Sequence, residues 1–397
     1  MTTQMTKRRL RKCVTAFCIS VMVMLCASCT CFIEPDRVIY AKETQTATNY
    51  YNYSNVKKSW FIKRMKEHQP SLGAQTEEEL KKYRAYYYDA EATENVIYFT
   101  FDCGYENGYT GKLLDILKKY DAKAVFFVTK HFVKTQPELC KRMKEEGHLV
   151  GNHTMNHPSL PERSVTQIQN ELSGLEQLFK EYTGYQMDKF LRPPMGEYSD
   201  RVLKVAKDMG YTTVFWSIAY ADYDPQNQPG KQYVIDHFKN YHHKGAITLT
   251  HNVSKSNTEA LPQVLRDLKQ QGYRFARIDE LGQPKNQKVA VPTWAKKSAV
   301  KISENQSYVP ITFLIRTKKD LQPEGYEVYR KEKGGKYELI VQKRLTKAQL
   351  KKSVLSITYK DRTIDSEKTY FYKVKTYCYK YGRKFVSTTN KSWKVTV

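Results

Sequence analysis

The sequence predicts an α/β protein, a distorted seven-stranded (β/α) barrel followed by a small all-β sandwich, and three observations carry that prediction. Between Val96 and Ile278, apolar runs of strand length alternate with amphipathic segments of helical period. Glycines (Gly147, Gly210, Gly272) stand where those segments give way to the next run, the left-handed position that ends many helices. Beyond residue 310 the pattern changes to period two, in Gly325–Lys331 and Thr369–Lys375, punctuated by Lys333-Gly334-Gly335 and Tyr381-Gly382. Short strands of that kind over about a hundred residues suggest an immunoglobulin-like sandwich, with Tyr370, Tyr372 and Val374 facing inward.

In chain order, Lys7-Arg8-Arg9-Leu10-Arg11-Lys12 is a positive leader, and Val14–Leu25 is an apolar run too short for a comfortable membrane span. Residues 1–32 therefore read as an export signal or signal anchor, and membrane contact is expected through that segment alone. Residues 33–59, rich in Thr, Asn, Tyr and Ser without periodicity, read as a tether. The barrel is expected over 60–282. A helix is predicted at Glu77–Tyr88, strands at 96–101, 124–129, 148–151, 190–192, 213–217, 246–250 and 274–278, and helices at 111–120, 138–146, 165–182, 200–209 and 260–271. Residues 283–310, with Pro284, Pro292 and Pro310 among lysines, read as a linker, and 311–397 as the sandwich.

Composition narrows the function. A hydrophobic fraction of 40% permits real cores, and a formal net charge of +25 implies anionic surroundings. The export segment turns that charge away from nucleic acid and toward a cell wall, whose carboxylates and phosphates supply counter-charge. Most of the lysines simply solvate the surface. Of eight cysteines, only Cys103, Cys140 and Cys378 lie outside the N-terminal segment, which is no disulfide framework.

Four predicted strands end in residues fit for chemistry. The run Val96–Phe101 stops at Asp102, before Gly104 and Gly108. His148–Gly151 leads into Asn152-His153-Thr154-Met155-Asn156-His157, and a helical turn there would bring both imidazoles to one side, suitable for a metal. Phe190-Leu191 leads into Arg192-Pro193-Pro194-Met195-Gly196, and Ile247–Thr250 into His251. Barrel chemistry collects at C-terminal strand ends, where all four fall. Taken singly, each has a plainer reading: an aspartate before glycine is usually a turn residue. His148, which opens its strand, reads as a packing residue.

In this order the stretches resemble the polysaccharide deacetylase (NodB-homology) family, whose motifs read T-F-D-D-G, H-x-x-x-H, R-x-P and L-x-H. The resemblance spans roughly Trp60 to Leu281. It implies a carbohydrate N-deacetylase using a divalent metal ion, zinc with manganese or cobalt as alternatives, held by His153 and His157. It further implies Asp102 as general base, Arg192 as its clamp, the Met195 N–H at the oxyanion, and His251 as general acid. Asp222-Tyr223 matches the family's Asp-Trp pair, so that Asp222 would orient His251 and Tyr223 would line the acetyl pocket; Asp224 is the alternative orienting residue. Trp216, in Phe215-Trp216-Ser217, belongs to the substrate side. Where the family has a second, metal-ligating aspartate this chain has Cys103, either a thiolate ligand or a small filler. That departure, with Gly104–Thr110, His131-Phe132-Val133-Lys134 and Ala219, resembles the branch that prepares muramic δ-lactam in spore-cortex peptidoglycan. It implies an N-acetylmuramic acid substrate stripped of its stem peptide. The C-terminal region resembles a fibronectin type III module with a spacer or wall-binding role. Expected partners are peptidoglycan glycan strands and anionic wall polymers. Two rivals stand beside this reading: deacetylation of N-acetylglucosamine in another polymer, and glycan binding without catalysis.

Overall fold

The computed structural model describes residues 48–283, 288–297, 299–303, 306–318, 321–381 and 383–397. The expected export segment, 1–32, lies outside the described residues, as does the tether up to residue 47; no helix among the described residues is long and apolar enough to cross a membrane.

The first sheet is built from β1 (Ala85–Tyr86), β2 (Val96–Cys103), β3 (Ala124–Val128), β4 (Leu149–Asn152), β5 (Phe190–Leu191), β6 (Thr212–Val214), β7 (Ile218–Ala219), β8 (Ala246–His251) and β9 (Arg274–Phe275). Their order is β7-β8-β2-β3-β4-β5-β6-β1, with β9 also on β2, and every ladder is parallel. Parallel strands need crossovers, and helices supply them: α1 (Thr110–Lys119), α2 (Lys130–Thr135), α3 (Pro137–Glu145), α4 (Val165–Thr183), α5 (Asp200–Asp208), α6 (Lys231–Tyr241) and α7 (Lys255–Gln270). Strands β6 and β7 lie toward opposite ends of the sheet yet follow one another in the chain. The Phe215 N–H donates to the Tyr86 carbonyl and the Ser217 N–H to the Ile247 carbonyl, so this segment draws the ends together. The result is a curled parallel half-barrel.

Strand β2 is buried on both faces, and its two-residue period sorts them. Ile97, Phe99, Phe101 and Cys103 pack among Leu113, Leu117 and Phe132 of the helical layer. Val96 and Tyr98 face Val125, Phe127, Leu149 and Ile247 inside the curl. Asp102 shares the inner face and stands at its C-terminal end.

Several expectations are corrected. Among the described residues the sheet has nine strands rather than seven, because β1 and β7 have two residues each and leave no readable period. The helix expected over Glu77–Tyr88 ends at Lys81; Arg84 adopts φ 54°, and Tyr83, Ala85 and Tyr87 are buried in alternation. The described end of the tether packs on the sheet domain: Lys58–Ser59 pairs with Glu197–Tyr198, and the buried Trp60 ring stacks on Phe215 at 4.5 Å.

The expected linker is shorter than 283–310. Strands β10 (Thr293–Lys297), β11 (Lys301–Ser303) and β12 (Gln306–Arg316) already belong to the C-terminal region, as does the Trp294 ring, 5.4 Å from Trp393. Pro310 lies where β12 changes partner from β11 to β10, and on that edge of the strand it pairs with neither. The remaining strands are β13 (Gly325–Glu332), β14 (Glu338–Arg344), β15 (Val354–Asp361), β16 (Thr369–Lys380), β17 (Arg383–Val386) and β18 (Trp393–Thr396). One antiparallel sheet groups β10, β11 and β15 on β12; the other runs β14-β13-β16-β17, with β18 on β16. Val309, Ile311, Phe313 and Leu355 of the first share a core with Val328, Tyr370, Tyr372, Val374 and Trp393 of the second.

Candidate active site

The C-terminal ends of β2, β4, β5 and β8 open into one cleft of about 1060 Å³, lined by Asp102, His153, His157, Met195, Trp216, Tyr223 and His251 among others. The motifs dispersed over 150 residues of sequence thus meet at one place.

Arg192 is wholly buried, and each guanidinium nitrogen has a partner. Nη1 donates to Asp102 Oδ1 at 2.9 Å, Nε to the Val214 carbonyl at 3.1 Å and Nη2 to the Phe215 carbonyl at 3.3 Å, while the cation lies 4.5 Å from the Phe127 ring centre. Burial pushes the Asp102 carboxyl upward, but the charge of Arg192, aided by its hydrogen bond and by His251, outweighs it and holds the group below the usual carboxylate range. Asp102 is therefore an anion at neutral pH.

The other Asp102 oxygen lies 3.5 Å from His153 Nε2. His153 Nδ1 donates to the Arg192 carbonyl at 2.8 Å, which leaves the Nε2 lone pair free. Burial lowers His153 to about 4, against the pull of Asp102, and burial also lowers His157. Both imidazoles are neutral at pH 7, the state that binds a metal. Their ring centres are 4.7 Å apart. The turn that joins them is not helical, as the i, i+4 spacing suggested. Thr154 and His157 adopt φ 67° and 55°, the Thr154 N–H donates to Asn152 Oδ1, and the His157 N–H donates to Thr154 Oγ1.

Cys103 is not at this site. The alternation that aims Asp102 inward sends Cys103 into the helical layer, where its thiol lies 3.7 Å from the Phe101 carbonyl. Burial, then the Asp102 charge, pushes the thiol well above its ordinary value, the opposite of what a thiolate ligand needs. Of the expected ligands, the structure brings together His153 and His157, with the Asp102 carboxylate beside them. No group of three His, Cys, Asp or Glu side chains among the described residues is arranged to hold an ion. Two neutral imidazoles, the first with its Nε2 free, are nevertheless a donor set that suits a divalent cation.

Across the cleft, His251 Nδ1 donates to Asp222 Oδ1 at 2.6 Å, and the His251 backbone N–H donates to Oδ2 at 2.8 Å. Asn257 Nδ2 donates to the same Oδ2 at 2.5 Å. Burial alone would lower His251, but the Asp222 charge and hydrogen bond outweigh it and raise the ring above its usual value. Asp224 instead accepts from the Gln226 N–H, so Asp222 is the residue brought to His251. His148 accepts from the Ala124 N–H in the core, away from the cleft.

The remaining residues form the cleft's walls. Met195 adopts φ 57° and is 55% exposed at the lip. Tyr223 is 63% exposed with its ring 6.0 Å from His251. The Trp216 carbonyl accepts from Trp60 Nε1 at 3.0 Å, and a Cβ on Gly196 would meet the Trp216 ring at 2.8 Å. Sequence reasoning missed Asn257, Trp60 and the rim residues Lys130 and Asn156. None of them is one of the motif residues on which that reasoning relied.

The polysaccharide deacetylase family pattern matches residues 89–214. Over 224 residues the chain is 49% identical to the peptidoglycan-N-acetylmuramic acid deacetylase PdaA of Bacillus subtilis, covering 56% of this chain and 85% of that protein. It is 36% identical over 191 residues to a peptidoglycan-N-acetylglucosamine deacetylase of Bacillus cereus, covering 47% of this chain and 88% of that one. The solved structure of Bacillus subtilis PdaA, described as a family 4 carbohydrate esterase, aligns with a TM-score of 0.55 at 48% identity, over 57% of this chain and 97% of that chain.

Proposed function

Because the chain belongs to the polysaccharide deacetylase family, we propose that it removes the acetyl group from N-acetylmuramic acid residues of peptidoglycan. The protein is a hydrolase acting on the amide of N-acetyl sugars, and its relatives' names put peptidoglycan first among the glycans. The observation that carries the reading is the pairing in one cleft of a clamped Asp102 anion with a raised, Asp222-held His251.

In this reading His153 and His157 would hold a divalent ion, zinc or else manganese or cobalt, which supplies polarisation of the acetamide carbonyl and a more acidic water. Asp102 takes the proton from the attacking water, and Arg192 keeps its carboxylate aimed and ionised. As oxygen adds to the carbonyl carbon, the Met195 N–H faces the developing oxyanion. His251, protonated and steered by Asp222, gives its proton to the sugar nitrogen as the C–N bond breaks. Acetate and a free amine result. Trp216 and Tyr223 flank the acetyl group.

The finer parts of the proposal are a peptide-stripped substrate on the muramic δ-lactam route of spore cortex, export by residues 1–32, and a fibronectin type III-like module that spaces the enzyme from anionic wall polymers. Export is supported by the charge-then-apolar order of Lys7–Lys12 and Val14–Leu25. The experiment is acetate release from peptide-stripped strands, intact strands and N-acetylglucosamine oligomers. Preference for stripped strands supports the reading. Preference for the oligomers favours the glucosamine alternative, to which the Bacillus cereus relative lends weight, and no release from any would leave glycan binding alone.

A further inference from the structure

We propose that Lys130 is the specificity-determining residue of this cleft, its ammonium group receiving a carboxylate carried on the carbon next to the acetamide. Among the described residues that line the cleft, Lys130 is the one lysine or arginine. The fold puts it beside the chemistry. Strand β3 pairs with β2 at Val128 opposite Cys103 and with β4 at Val128 opposite Asn152. Lys130, two residues further on, thus stands between the strand end carrying Asp102 and the strand end carrying His153.

Its charge is held in place without being neutralised. Lys130 Nζ donates to Asn156 Oδ1 at 2.5 Å, and among the described residues no carboxylate pairs with it. Asn156 is itself fixed, its backbone N–H on Glu171 Oε2 at 2.9 Å and its Nδ2 on Glu171 Oε1 at 2.7 Å. Glu171 therefore spends both oxygens on turning the Asn156 carbonyl toward the lysine, and it does not line the cleft. Asn156 immediately precedes His157, and the ammonium, the histidine pair and Asp102 line the same cleft. An amino sugar with a free lactyl ether at the neighbouring carbon presents its acetamide and its carboxylate to that cleft together. N-Acetylglucosamine has only a hydroxyl there.

This inference rests on the muramic reading above, and the test separates the two. Glycan strands with free lactyl carboxylates are compared with the same strands capped as methylamides, and with N-acetylglucosamine oligomers. The parent should prefer free over capped strands. In Lys130→Met that preference should fall by about tenfold to a hundredfold, the worth of a charge-assisted hydrogen bond, mainly through KM. Lys130→Arg should restore most of it. An unchanged preference in Lys130→Met, or equal losses on free and capped strands in a variant that melts like the parent, overturns the inference and leaves the muramic reading standing. A parent that deacetylates the oligomers but neither muramic substrate overturns the muramic reading, and the inference with it.

Discussion

Asp102 and Cys103 are neighbours in sequence with opposite fates, and the difference is the two-residue period of a strand. Asp102 turns into the cleft, clamped by Arg192, and as the one carboxylate among the described residues that line the cleft it should carry the base's role. Asp102→Asn should keep the fold while lowering kcat by about two to four orders of magnitude, measured as acetate release from a folded variant. Cys103 turns into the core, so Cys103→Ala should cost about 1 kcal/mol by denaturant titration and leave zinc affinity unchanged. A large loss of affinity would return the thiol to the site. His251 gives a pH prediction. Its ring is raised by Asp222, so the protonated acid persists to a higher pH than a free histidine would. Asp222→Asn removes the charge that does this, and the alkaline limb of kcat/KM should move to lower pH. A limb that stays in place would show that another group sets it.

At the scale of elements, the precision of the site depends on how closely β4 approaches its neighbours. A Cβ on Gly151 would lie 2.7 Å from two Phe127 ring atoms and 3.0 Å from the Phe190 carbonyl oxygen. Phe127 lies under the Arg192 guanidinium, and the Phe190 carbonyl belongs to the strand that delivers Arg192. Gly151→Ala should therefore destabilise by about 1–3 kcal/mol and also reduce kcat, because the clamp on Asp102 shifts with the ring. Thermal melting and acetate release check the two parts; a stability loss with unchanged kcat would separate the packing from the clamp. The Trp60–Phe215 stack acts similarly on the far wall, fixing the chain that carries Trp216.

For the whole molecule, the cores divide cleanly. The clusters that surround the sheet domain end at Leu281, and the core shared by the two C-terminal sheets begins at Val309, with Trp294 and Val300 packed against it. A chain ending at Gln283 should therefore fold and deacetylate short soluble glycans at close to the full rate. Aggregation, or loss of soluble-substrate activity, would show that the C-terminal sheets stabilise the half-barrel. The sequence by itself determined the alternation of strands and helices, the change of period after residue 310, and the motif residues Asp102, His153, His157, Arg192 and His251, because strand ends and hydrophobic periods are local properties. Only tertiary structure decided the rest. Which way Cys103 faces depends on a register set by β3 and the helices, and the choice of Asp222 over Asp224 depends on where β8 brings His251. The strand pairing of β1, β7 and the segment after Pro292 is fixed by partners distant in sequence, which leave no local period to read. Lys130 belongs to no motif, and Asn156 is only an unspecified position between His153 and His157; they matter because two ladders bring them to the cleft of Asp102 and His153.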